Sequence, residues 1–132
     1  MKEKKILVVD DERSIREMLE MALNRAGYSV CSVSSAEEAL DVLRQESFPL
    51  MFIDLGLGKI SGFDLCENIR RDDSSAIIYA LTGNAGLIEK AEIDKAGFNG
   101  CIGKPVGIAA LYEVAKESFN KLERFGLTQA YQ

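Results

Sequence analysis

The chain has 132 residues, 47% of them hydrophobic, and a net charge of −5. Such a length and apolar content suit one domain around one core and exclude a disordered chain. No apolar run approaches the roughly 20 residues that span a bilayer, M-K-E-K-K precedes too short an apolar stretch for a secretory signal, and without a basic stripe direct nucleic-acid binding is not expected.

Strand and helix signals alternate five times along the chain. Strands are predicted over Lys5–Val9, Tyr28–Val33, Leu50–Asp54, Ala76–Leu81 and Gly100–Ile102. Ile15, Met18, Leu19, Ala22 and Ala26 share one helix face, and Gly27 stops that helix. A second helix carries Ala36, Ala39, Leu40 and Leu43, with Ser35 and Glu38 as its capping box. A third covers Phe63–Arg71, and a fourth, with a weak apolar face, covers Leu87–Ala96 and closes at Gly97. The fifth places Ile108, Leu111, Tyr112, Ala115, Phe119 and Leu122 on one side. Residues 1–124 form the domain and 125–132 a short tail that frays. Strands this apolar have no solvent face, so helices should cover both sides of a parallel sheet. The expectation is a doubly wound α/β domain.

A fold of this class gathers its ligand site at the C-terminal strand ends. Asp10 and Asp11 follow the first strand, Asp54 ends the third, Thr82 follows the fourth, and Lys104-Pro105 follow the fifth. Each has an ordinary reading: a helix cap for the aspartate pair, a turn for Asp54 or Thr82, a solvated loop for Lys104. Together they put three carboxylates, a hydroxyl and an ammonium on one edge. Adjacent buried carboxylates are costly unless something positive joins them. Histidine is absent, which excludes imidazole catalysis and His-ligated metals. Any metal is therefore held by oxygen, which points to a hard cation such as Mg²⁺. A strand-end carboxylate can be a nucleophile toward phosphorus. No P-loop or G-x-G-x-x-G follows a strand, so a nucleotide donor is not indicated. Cys31, Cys66 and Cys101 are widely spaced in apolar settings and read as reduced core thiols of a cytoplasmic protein.

With D-D after I-L-V-V, D ending M-F-I-D, Gly62 in the next loop, T after Y-A-L, and K-P after C-I-G, the chain resembles a response-regulator receiver domain of bacterial two-component signalling. The resemblance covers about Lys4 to Leu122. It implies a flavodoxin-like (βα)5 fold with a five-stranded parallel sheet in the order 2-1-3-4-5. It implies that Asp54 accepts a phosphoryl group from a phosphohistidine on a sensor histidine kinase or histidine phosphotransfer protein. Mg²⁺, or Mn²⁺, would be held by Asp10, Asp11, Asp54 and the backbone carbonyl of Gly56. Thr82 and Lys104 would contact the phosphoryl oxygens, and the Lys104-Pro105 bond would be cis. Output would pass through the fourth helix, fifth strand and fifth helix to a downstream protein, and a phosphorylation-dependent dimer is allowed. The chain would be a switch rather than a turnover enzyme.

Three positions depart from that pattern. Leu57-Gly58 replaces the usual Met/Leu-Pro, and with Gly56 and Gly62 this loop is expected to be mobile. Cys101 stands where an aromatic residue often couples to the threonine, so aromatic rotation is impossible there. Gly56 offers no side chain to shield a phosphoryl group, whereas Asn84 could orient or block water. Two other readings compete. An aspartyl phosphatase of the haloacid dehalogenase type would need D-x-D, not the adjacent D-D found here. A degenerate receiver that only binds partners would not need the full residue set.

Overall fold

The computed structural model describes residues 4–83 and 90–130, with side chains as far as Arg124. Five strands, β1 (Lys5–Val9), β2 (Ser29–Val33), β3 (Leu50–Asp54), β4 (Ile77–Thr82) and β5 (Gly100–Gly103), alternate with five helices. These are α1 (Arg13–Arg25), α2 (Ala36–Gln45), α3 (Gly62–Asp72), α4 (Lys90–Ala96) and α5 (Ile108–Ala130). All strand pairs are parallel, in the order β2-β1-β3-β4-β5. This is the doubly wound, flavodoxin-like (βα)5 arrangement that the sequence led us to expect.

Successive strand residues point to opposite faces. Leu7, Val9, Met51, Ile53, Ile78 and Ala80 therefore face one layer, formed by α2, α3 and α4. Ile6, Val8, Leu50, Phe52, Ile77 and Leu81 face the other, formed by α1 and α5. Leu19 and Leu23 of α1 and Leu111 and Ala115 of α5 close that second layer. Each fully buried large side chain contributes about 1.5–3 kcal/mol. The edge strand β2 is less apolar, and only Val33 in it is buried.

Helix ends follow local chemistry. Gly27 and Gly97 have φ of +97° and +102°, the left-handed geometry that ends α1 and α4. Ser35 Oγ accepts the Glu38 N–H at 3.1 Å, the first half of the expected capping box. The other half is displaced by one residue, because the Glu38 carboxylate accepts from the Ser34 hydroxyl at 2.8 Å. Ser61 caps α3 through the Asp64 N–H at 3.1 Å and draws that helix back to Gly62. The Leu87–Glu89 part of the predicted fourth helix lies outside the described residues, as does Asn84. Residues 125–130, read as tail, continue α5.

Two expectations need correction. Cys101 is exposed, not a core thiol. It lies on the edge strand β5, where Ile102 takes the inward position toward α5. Cys31 is half-buried, and Cys66 is fully buried with its thiol pushed up to about 11 by burial. The loop after β3 is also more constrained than its glycines suggested. Leu55 and Leu57 are buried in the core. A Cβ on Gly62 would run into the Asp54 carbonyl oxygen and lie 2.8 Å from Leu55 Cα. Gly62 is there for close approach, whereas a Cβ on Gly56 would make an ordinary 3.6 Å contact with Asp54 Oδ1 and only Gly58 of the three has open space around it.

Candidate functional site

The parallel register carries the strand-end residues to one edge. Asp54 pairs with Leu81 in β4, and Thr82 pairs with Gly103 in β5. The Asp10 N–H donates to the Val33 carbonyl at 3.1 Å, so the ladder runs one residue past β1. The Asp10 carbonyl in turn accepts from Arg16 Nη1 at 2.8 Å. Sheet and helix thus hold Asp10 from both sides. Its carboxylate is fully buried, and Asp54 and Thr82 are 5% and 3% exposed.

Lys104 closes the group. Its N–H donates to the Thr82 carbonyl at 2.8 Å, and its bond to Pro105 is cis, as expected. Its ammonium lies 2.9 Å from Asp10 Oδ2 and 3.4 Å from Asp54 Oδ1. Asp54 Oδ1 also accepts the Gly56 N–H at 3.0 Å. Asp10 Oδ1 accepts the Glu12 N–H at 2.9 Å, so Asp10 itself turns the chain into α1. The helix-cap reading of the pair fails in its simple form. The N-cap position is Glu12, and no side chain caps it.

The electrostatics show too little positive charge. Burial lowers the Lys104 pKa, but Asp10 and then Asp54 outweigh it, and the net shift is upward. The Asp11 carboxyl is raised by burial first, then by the negative charges of Asp54 and Asp10. Asp10 Oδ2 is buried without an aligned hydrogen-bond donor, although Lys104 is its ion-pair neighbour. One carboxylate oxygen from each of Asp10, Asp11 and Glu12 lies within 4.8 Å of the others. Such oxygen-only, anion-rich clustering around an orphaned buried oxygen fits a hard divalent cation. The residues therefore could bind a metal ion.

The structure brings Asp10, Asp54, Thr82 and Lys104 together at this edge, with Asp11 against Asp54. Gly56 meets Asp54 through its N–H. Sequence reasoning missed Glu12, whose signal was only its place beside the aspartate pair. A cavity of about 400 Å³ between Ile77, Tyr79, Asn99 and α5 residues such as Ser118 and Lys121 includes none of these groups.

A doubly wound α/β domain with a lysine-bridged acid cluster at its strand ends defines a class of carboxylate-based phosphoryl or metal sites. The particular family follows from comparison. The model of the response regulator receiver domain matches residues 6–116. The chain belongs to that family, whose general role is a phosphorylation switch in two-component signalling. A probable transcriptional regulator, ycf27, of Porphyridium aerugineum is 36% identical over 105 residues, covering 80% of this chain and 43% of that protein. The chain thus spans under half the length of such curated relatives. The sensor protein EvgS of Escherichia coli (strain K12) is 31% identical over 106 residues, 80% of this chain and 9% of that one. Among solved structures, a CheY-like receiver domain protein of Methanospirillum hungatei JF-1 superposes with a TM-score of 0.87 at 30% identity, covering 93% of this chain and 98% of that one. Among the described residues no helix is long and apolar enough to cross a membrane.

Proposed function

We propose that this protein is a phosphorylation-controlled switch in which Asp54 is the acceptor. The observation that carries this reading is the Lys104 ammonium, which lies within 3.4 Å of Asp54 and 2.9 Å of Asp10 in a largely buried site. By family resemblance the donor is a phosphohistidine on a sensor histidine kinase or histidine phosphotransfer protein, and this chain, which has no histidine, cannot supply it itself. An Asp54 carboxylate oxygen attacks phosphorus while the P–N bond breaks and the imidazole departs. The Gly56 N–H orients the Asp54 carboxylate. Lys104 exchanges its contact with Asp54 for one with a phosphoryl oxygen, and the Thr82 hydroxyl donates to another. Phosphoryl transfer needs little beyond such positioning and charge neutralisation.

Asp10, Asp11, Asp54 and the Gly56 carbonyl are the ligands we assign to Mg²⁺, with Mn²⁺ as a substitute. When bound, the ion neutralises charge on the transferring group. Asp10 and Asp11 would hold it, and Asp10 also keeps Lys104 in place. The assigned compartment is the cytoplasm, consistent with free cysteines. The protein acts as a switch and does not turn over small substrates.

Phosphorylation biases two packings of the surface formed by α4, β5 and α5, which a downstream protein or a second copy reads. Lys104 follows β5 directly and bonds to Thr82, so a shift at the phosphoryl group passes into β5 through the backbone. This route does not need an aromatic residue at Cys101. Amide NMR with Mg²⁺ and fluoroberyllate tests the reading. Shift changes along β5 and α5, absent in an Asp54→Ala variant, are expected. Changes confined to the acid cluster would rule out a switch.

A further inference from the structure

We propose that Glu12 is a specificity-determining residue of the phosphoryl site, a carboxylate at its mouth that discriminates against free dianionic phosphodonors. The inference rests on the phosphoryl-acceptor reading of Asp54. Glu12 occupies the N-cap of α1 yet makes no side-chain cap. Ser, Thr, Asp and Asn serve that position well, and glutamate is not among the favoured caps. Its N–H is already committed to Asp10 Oδ1 at 2.9 Å. Its carboxylate instead turns toward the acid cluster, with Oε1 3.8 Å from Lys104 Nζ. Like Asp11 it is exposed, its side chain at 61% against 0% and 7% for the side chains of Asp10 and Asp54, and it is the exposed carboxylate paired with Lys104. Glu12 therefore faces both solvent and the ammonium that the phosphoryl group must engage.

This placement has two consequences for a donor. A free dianion approaching Lys104 meets an unburied negative charge, and it must compete with Glu12 for the ammonium. A phosphoryl group delivered on a docked protein gains binding energy over the rest of the interface, which offsets that repulsion. The penalty on the free donor is that of one exposed charge, so it is modest and screened by salt. A purely structural role for Glu12, such as a favourable interaction with the α1 dipole, would not depend on the charge of the donor.

The test compares phosphorylation rates of wild type, Glu12→Gln and Glu12→Asp with acetyl phosphate, a dianion near neutral pH, and phosphoramidate, which carries less net charge. Mg²⁺ is saturating for each protein, so any weakening of the metal site drops out. At low ionic strength Glu12→Gln should react about two- to five-fold faster with acetyl phosphate. The gain with phosphoramidate should be smaller, and both gains should shrink in high salt. Glu12→Asp keeps the charge and should stay near wild type. Equal rates for wild type and Glu12→Gln with both donors overturn the inference, as does an equal gain with both. If the wild type takes no phosphoryl group from either donor, the acceptor reading itself falls and takes this inference with it.

Discussion

Replacing Lys104 by Met keeps side-chain bulk but removes the only ammonium within 4 Å of Asp10 and Asp54 among the described residues. Two carboxylates, 0% and 7% exposed, then face each other uncompensated. Removing one partner of a buried ion pair costs about 3–5 kcal/mol. Glu12 and Asp11 open the site to water on one side, so we expect the lower end, about 3 kcal/mol, or roughly 10 °C in Tm for a domain this size. Mg²⁺ should recover much of the deficit at neutral pH. The wild type should itself lose the lysine's contribution at high pH. The Lys104 pKa is raised above 10.5 in the fold, so its contribution is complete below that value and is lost as pH climbs through the folded pKa. Thermal unfolding in EDTA and in Mg²⁺ measures all of this. A loss under about 1 kcal/mol in EDTA, or one that Mg²⁺ leaves unchanged, would refute the claim that Lys104 balances this cluster.

Asp11→Asn should stabilise the protein in EDTA by about 1–3 °C at neutral pH while abolishing its stabilisation by Mg²⁺. Folding penalises the charged form of Asp11, so the gain should fade as pH drops below the folded pKa, and a variant less stable than wild type in EDTA contradicts this. Gly62→Ala places a Cβ against the Asp54 carbonyl, and overpacking of that kind costs about 1–3 kcal/mol; unchanged denaturant midpoints would show that the loop yields freely. Arg70 donates to the carbonyls of Gly97 at 2.8 Å and Ala76 at 2.6 Å and to Asn99 Oδ1 at 2.8 Å. Arg70→Ala should cost about 2–4 kcal/mol by leaving the Gly97 and Ala76 carbonyls without this donor, while Asn99 Oδ1 keeps the Ile78 N–H; urea unfolding measures it, and a loss below about 0.5 kcal/mol would count against the network.

The sheet was legible because four of its strands are apolar runs bounded by turn residues, and their order followed from the family resemblance. The candidate site was legible because a parallel sheet sends its strand ends to one edge, so Asp10, Asp54, Thr82 and Lys104 could be gathered without knowing any distance. What escaped depended on contacts between distant residues or on exact approach. Arg70 bonds to Gly97 and Asn99, nearly thirty residues on, and nothing local marks it. Gly62 reads as loop flexibility in sequence but stands against the Asp54 backbone in space. Cys101 reads as apolar, and its exposure comes from its place on an edge strand. The α5 face fades after Leu122, yet the helix continues, since extending a formed helix costs far less than starting one.

The central claim is that Asp54 accepts a phosphoryl group at a Mg²⁺-dependent site. Intact-protein mass spectrometry after incubation with phosphoramidate and Mg²⁺ tests it most directly, with an Asp54→Asn variant alongside. One added phosphoryl group on the wild type alone, abolished by EDTA, is the predicted result. An unchanged mass for the wild type, or the same gain on Asp54→Asn, would contradict it.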